Sequence, residues 1–243
     1  MSPHSAETPP LHWGCEDSWT WDRKEKSPEV RLFGQTVHFH PNWSNGSAGV
    51  RGSRILNNTR YYWEVKISHR IFGTSMMVGI GTWKARLHAD AFLNLLGEDN
   101  SGWGLSHKGL LWHGGKWRPY TKPFKENEST VIGILFDGVA GTVTYYKDGK
   151  NLGVAFTDLD KVTESLYPIV CSTAAKTEMT LGVMRREFTS LQDRCRAAII
   201  RHIKKEPDLV DLGLPTPLMH YLLEGMRQIP KFIPPETQNA VCL

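Results

Sequence analysis

Two histidines two residues apart, His38 and His40, are the nearest thing to a metal-ligating pair in this 243-residue chain. On a strand they would share one face and supply half of a zinc-type site. No Cys or carboxylate stands close by in sequence, so the expectation is a solvent-facing pair and no metal. Gly79-Ile-Gly81 opens like a dinucleotide fingerprint, but Thr82-Trp-Lys84 follows, without the third glycine or a strand-to-helix context. There is no Gly-x-Ser-x-Gly elbow and no phosphate-binding loop. Arg194, Arg201 and Lys205 make one stripe of a C-terminal helix, a pattern a nucleic-acid reader could use. A solvated face opposite an apolar one has the same look, and a net charge of +4 argues little for nucleic acid. The chain is therefore expected to be non-catalytic, with no cofactor.

The elements that would carry a site are short strands between Gly-rich turns. Tyr61, Trp63, Val65 and Ile67 fall on one face of a strand, with Tyr62, Glu64 and Lys66 on the other. Residues 76–82 and 130–136 are apolar enough for deeply buried strands. Gly141 to Phe156 forms a hairpin turning at Asp148-Gly149, with Leu152, Val154 and Phe156 alternating beyond it. Residues 167–171 and 178–182 complete the set. Many strands at short spacing predict an antiparallel β-sandwich. One helical turn is expected at 89–96, from Phe92, Leu95 and Leu96.

Helical periodicity enters only near the end. Leu191, Cys195, Ala198, Ile199 and Ile203 form an amphipathic stripe, opened by a Thr189–Gln192 capping box and stopped by Pro207. A second short helix is expected with Thr216 as cap, Pro217 at its first position and Gly225 at its end. So short a helix is marginal in water, and its stripe requires a partner.

Nine Trp supply a core for one sizeable domain plus an appendage. Residues 1–11 are polar, with no signal-peptide pattern, and no apolar run reaches transmembrane length. The cysteines, at 15, 171, 195 and 242, show no paired spacing. An intracellular location, cytoplasm or nucleus, is the expectation. The sequons at Asn42, Asn45, Asn57 and Asn127 would then stay unmodified.

Ser190-Leu191-xxx-Cys195-xxx-Ile199 resembles the elongin-binding box of the SOCS box. Leu214-Pro-Thr-Pro217 is similar to its cullin box, with Thr216 where the family has an apolar residue. Tyr62-Trp-Glu-Val-Lys, Val78-Gly-Ile-Gly, Ser101-Gly-Trp-Gly-Leu, Tyr145-Tyr-Lys-Asp-Gly-Lys and Tyr167-Pro-Ile-Val resemble a SPRY (B30.2-type) domain. Together they look like the SPRY domain-containing SOCS box family. Residues 72–82 and 171–175 are most similar to one particular member. The resemblance implies a mainly β fold, a SPRY/B30.2-type sandwich with a small C-terminal α-helical SOCS box. The expected divisions are a disordered lead (1–12), the sandwich (13–185), the box (186–226) and a disordered tail (227–243).

It also implies a non-catalytic substrate adaptor of an elongin–cullin–RING ubiquitin ligase. Leu191, Cys195 and Ile199 would contact elongin C, which comes with elongin B. Leu214, Pro215, Pro217, Leu218 and Tyr221 would contact a cullin, cullin-5 in the first instance, with its RING protein. A short Asn-rich peptide of the target would meet Arg51, Gly52, Gly73, Thr74, Phe92, Leu95, Gly97, Thr173, Ala174 and Ala175. Many relatives have a Trp within the stretch that here reads Thr173-Ala-Ala175, and a Tyr in place of Phe92, so a shifted preference is expected. Each residue has a structural alternative: Arg51 pinning a loop, Phe92 and Leu95 in the core. The alternative from another class is a free-standing, non-ligase peptide-binding scaffold with its C-terminal helices packed on the sandwich, and a third is a sandwich lectin.

Overall fold

In the computed structural model, the alternation from Tyr61 to Ile67 becomes a strand with one face wholly buried. The structure describes residues 9–11, 14–56, 59–187, 191–203 and 206–228. Most of the expected lead, Trp13, Asn57, Thr189, Ser190, Lys205, and the tail from Ile229 with Cys242 lie outside the described residues. So do the side chains of Gln192, Arg194, Ala198 and Arg201.

The chain opens with β1 (Cys15–Glu16), β2 (Trp21–Lys26), β3 (Val30–Phe33), β4 (Thr36–Phe39) and β5 (Ser47–Gly52). Next come β6 (Arg60–Ile67), β7 (Met76–Thr82), β8 (His88–Ala89), β9 (Gly102–Ser106), β10 (Leu110–His113) and β11 (Lys116–Pro119). β12 (Thr130–Asp137), β13 (Thr142–Lys147), β14 (Lys150–Phe156), β15 (Leu166–Ser172) and β16 (Thr177–Arg186) complete the strands. They form two eight-stranded sheets. One runs β14-β13-β12-β6-β16-β4-β3 with β1 on β16; the other runs β11-β10-β9-β7-β15-β5-β2 with β8 on β5.

The inner faces meet in one core. Trp63, Val65, Ile67, Ile132, Ile134 and Val143 come from the first sheet, and Val50, Val78, Ile80, Leu105 and Val170 from the second. The Tyr145 hydroxyl crosses between the sheets to donate to the Val78 carbonyl at 3.1 Å, and complete burial raises its pKa well above 10.0.

Both outer faces are partly covered as well. Tyr62 takes the expected outward direction yet is buried, laid over Gly133 with its ring edge toward Tyr146 at 5.9 Å. On the second sheet, Met77, Ile169 and Cys171 form a satellite core with Ala85, Leu95 and Leu96. Residues 89–96 form no helix, only a turn at 95–97, because Leu95 and Leu96 are drawn down onto the sheet. Gly102 and Gly104 make room for Leu96. Gly79 serves close strand approach, since a Cβ there would overlap the Trp103 carbonyl oxygen.

The β13–β14 hairpin turns at Asp148 (φ 49°) and Gly149 (φ 79°), both left-handed as a two-residue turn demands. Beyond it the expected alternation fails. A bulge with Gly153 at φ 89° leaves Val154 exposed and buries Ala155.

The C-terminal helices belong to a second compact unit. α1 spans Leu191–His202, a 3₁₀ segment spans Glu206–Leu212, and α2 spans Thr216–Gln228. α1 ends before Pro207, which falls inside the 3₁₀ turn. Pro215 holds the cap position of α2, its carbonyl accepting from Met219 N–H at 3.1 Å, so Pro217 sits second. α2 runs on through Gly225, where good helix formers on the C-terminal side offset a cost of about 1 kcal/mol. No helix among the described residues is long and apolar enough to cross a membrane.

Candidate functional site

At one end of the second sheet β7 begins, β15 ends and β5 begins, so their loops emerge side by side. Thr173 ties two of them together. Its hydroxyl donates to the Ser75 carbonyl at 2.9 Å and accepts from the Ser75 N–H at 2.9 Å, and its own N–H donates to the same carbonyl at 2.8 Å. Gly73, at φ 95°, lies against Thr173 and Ala174, closely enough that any side chain would crowd them. Arg70 donates to the Ala175 carbonyl at 3.2 Å and lies over the Phe72 ring. On the adjoining strand the Ser47 hydroxyl accepts from Leu93 N–H at 2.7 Å and donates to the Ala91 carbonyl, holding the stretch from which Phe92 stands half exposed.

Gly73, Thr74, Phe92, Thr173, Ala174 and Ala175 are thus gathered at one end of the sheet. Gly73 and Thr74 are open to solvent, while Thr173 and Ala174 are buried beneath them. Such an arrangement can offer exposed backbone groups and a threonine hydroxyl to a polar peptide.

Four expected residues lie elsewhere. Arg51 is buried on the outer face of β5 and reaches the opposite end of β7, donating to the Trp83 carbonyl at 2.7 Å and to Glu25 at 2.6 Å. It pins the loop after Thr82. Gly52 packs under Trp19 and Pro168. Leu95 is core, and Gly97 (φ 81°) lies against the Trp112 backbone. The seven residues of β7 separate Gly73 from the carbonyls that hold the Arg51 guanidinium, whereas Leu95 is kept from a ligand by its place in the satellite core with Met77 and Cys171.

The expected solvent-facing histidine pair is also corrected. β4 ends at Phe39, and His40, at φ 45°, swings inward and is only 1% exposed. Its Nε2 meets the Ser172 carbonyl at 3.1 Å, one residue from Thr173. His38 stays partly exposed beside Glu178, 3.4 Å away. Nearby, His107 is buried behind Met76, whose carbonyl accepts from its backbone N–H at 2.8 Å. Burial lowers the pKa of both His40 and His107 below 6.5. Neither was singled out for this end of the sheet. The turn before Pro41 was the only local sign at His40.

The C-terminal unit presents a second surface. Ile200, Leu209 and Leu222 form its core, with Ile203, Leu214 and Leu223 packed against them. Leu191 is 77% exposed, Cys195 is exposed and Ile199 is 39% exposed. Spacing of four puts these three on one line of α1, and the helix spends its neighbouring face, through Ile200, on its own core. The expected five-residue stripe therefore divides, with Ile203 going inward. On α2, Leu218 is exposed, Pro215 and Pro217 are exposed, and Tyr221 lies under the Arg196 guanidinium at 4.2 Å.

Comparison with known proteins agrees with this architecture. The SPRY domain family model matches residues 60–184. The chain is 38% identical over 223 residues to SPRY domain-containing SOCS box protein 3 of Xenopus tropicalis, across 89% of this chain and 59% of that one. It is 28% identical to SPRY domain-containing SOCS box protein 1 of Homo sapiens, across 89% of this chain and 84% of that one. The chain spans about 59% of the length of the first of these relatives. Among solved structures, the SPRY domain of human HERC1 superposes with a TM-score of 0.55 at 19% identity, covering 67% of this chain and 97% of that one. The TRIM65 PSpry domain gives 0.53 at 20% identity, over 68% and 89%. With the family pattern running from β6 into β16 and the same two-sheet fold in solved members, the chain belongs to the SPRY domain family.

Proposed function

We propose that this chain is a non-catalytic substrate-recognition adaptor of an elongin–cullin–RING E3 ubiquitin ligase, acting inside the cell. The observation that carries the reading is the exposed line Leu191, Cys195 and Ile199, left open on a helix that buries the adjacent Ile200. An apolar line with a soft, small residue at its middle suits a partner's groove. Names of relatives that include a SOCS box support the assignment of that partner to elongin C, with elongin B. Pro215, Pro217 and Leu218 are the matching proposal for the cullin contact, with Leu214 and Tyr221 positioning them.

The sandwich would hold an Asn-containing segment of the target at Gly73, Thr74, Phe92, Thr173, Ala174 and Ala175. Side-chain amides need a donor and an acceptor together, and exposed loop backbone supplies both. Holding the target beside a charged conjugating enzyme makes ubiquitin transfer effectively intramolecular, and degradation follows.

The test is an affinity pull-down of the intact chain beside a Leu191→Ala/Cys195→Phe variant. Elongins B and C and one cullin should copurify with the former only. Should neither chain bring them down, the protein is a stand-alone peptide-binding module.

A further inference from the structure

A cleft of about 130 Å³ lies beside the loop end of the sandwich, lined by Pro28, Glu29, His40, Asn45, His88 and Asp90 among others. His40 is its floor. The Ser172 carbonyl can only accept, so the His40 Nε2 that meets it carries the ring proton and Nδ1 is left as a bare lone pair. That Nδ1 is buried and has no hydrogen-bond partner. It faces the Glu29 carboxylate at 3.9 Å, and two acceptors cannot satisfy each other.

At the rim, by contrast, a second histidine has both ring nitrogens paired. The Ser27 hydroxyl sits 3.0 Å from His88 Nδ1, and His88 Nε2 sits 3.2 Å from Asp90, so a neutral His88 can accept from one and donate to the other. No Lys or Arg among the described residues lines the cleft. Among the described residues no group of three His, Cys, Asp or Glu is arranged to hold a metal ion. An unpaired ring nitrogen together with the Glu29 and Asp90 carboxylates is complementary to N–H donors that carry positive charge.

His40 is held in this pose at some cost. Its φ of 45° is unfavourable for a residue with a Cβ, and more so before Pro41. Backbone bonds on both sides maintain it, His40 N–H to the Glu29 carbonyl at 2.8 Å and Lys176 N–H to the His40 carbonyl at 3.1 Å. Strain kept in this way marks positions where a side chain is aimed.

We infer that this cleft is a subsite for a cationic side chain, lysine or arginine, of the polypeptide bound at the neighbouring loops. The inference rests on the peptide-binding reading of Gly73, Thr74 and Ala174, to which the cleft is joined through Ser172. An ammonium or guanidinium would donate to His40 Nδ1 and pair with Glu29, with Asp90 adding charge at the rim. Lowering of the His40 pKa by burial keeps the ring neutral for that role at neutral pH.

The experiment titrates the full chain, with ¹⁵N-labelled histidine, using N-acetyl-argininamide, N-acetyl-lysinamide and the uncharged N-acetyl-citrullinamide. Either cationic probe should move the His40 Nδ1 resonance, and the citrulline probe should need about tenfold more ligand. Glu29→Gln should weaken the cationic probes by about the same factor, with an unchanged melting temperature. Equal response to citrulline, or indifference to Glu29→Gln, overturns the assignment. No shift at all assigns the cleft to an ordered water only and overturns it too. An Asn-containing peptide titrated in parallel separates the two readings. If it binds while the cations do not, the subsite alone fails; if the cations bind while it does not, the loop reading fails.

Discussion

Arg51 donates to a carboxylate and to the carbonyls of Thr82, Trp83 and Ala85 while lying over the Tyr167 ring at 5.4 Å. None of those bonds remains for a ligand. Arg51→Ala should lower unfolding free energy by about 2 kcal/mol, read as a urea midpoint shift, because buried carbonyls lose a charged donor. Affinity for an Asn-containing peptide should stay within about twofold, and a larger loss would return Arg51 to the binding face. His40 and His107 set the pH behaviour. Both have folded pKa values below 6.5, so the unfolded chain takes up protons first as pH falls. Stability should be full above about pH 6.5 and decline below it. Melting temperature measured from pH 7.5 to 5.5 should show that slope, and His107→Gln should flatten it in part.

Glycines in the strands and turns act for two different reasons, and substitution should separate them. Gly149 has open space around it and needs only its left-handed φ, so Gly149→Ala should cost about 1 kcal/mol. Gly79 has an ordinary φ but no space, its missing Cβ being the room that lets β9 approach β7. Gly79→Ala should cost about 3 kcal/mol or more, or prevent accumulation of folded protein. Thermal melts of the two variants give the comparison directly. The hairpin is also held by Asp148, whose carboxylate accepts from the Thr130 hydroxyl and the Val131 N–H at 2.9 Å.

Over the whole molecule, the helical unit divides its apolar residues between a core of its own and an open line. Leu191→Ala should leave the far-UV helix signal intact and weaken elongin capture about thirtyfold or more. Leu222→Ala removes a core side chain, so it should lose helix signal and capture together. Equal helix loss in both variants would mean that Leu191 is structural. Within the helical unit, the side chains that form its core are thus different from those of the exposed line, as the proposed recruitment requires.

Much of this was legible in one dimension, because the relevant forces are local. Alternation from Tyr61 to Ile67 and the Asp148-Gly149 turn follow from period-two side-chain direction and left-handed backbone needs, and both appear in the structure. The existence of the helix pair was readable from its spacing and prolines, but not its ends, since α2 begins at Thr216 and runs past Gly225. What tertiary structure decided is which side chains the folded chain itself consumes. Arg51 was lost to the loop after Thr82, Leu95 to a satellite core on an outer sheet face, and Ile200 rather than Ile199 to the helical core. His40 turned from a presumed surface residue into a buried acceptor through one positive φ. Burial is a sum over residues distant in sequence, and no spacing along the chain encodes which end of a strand a long side chain will reach.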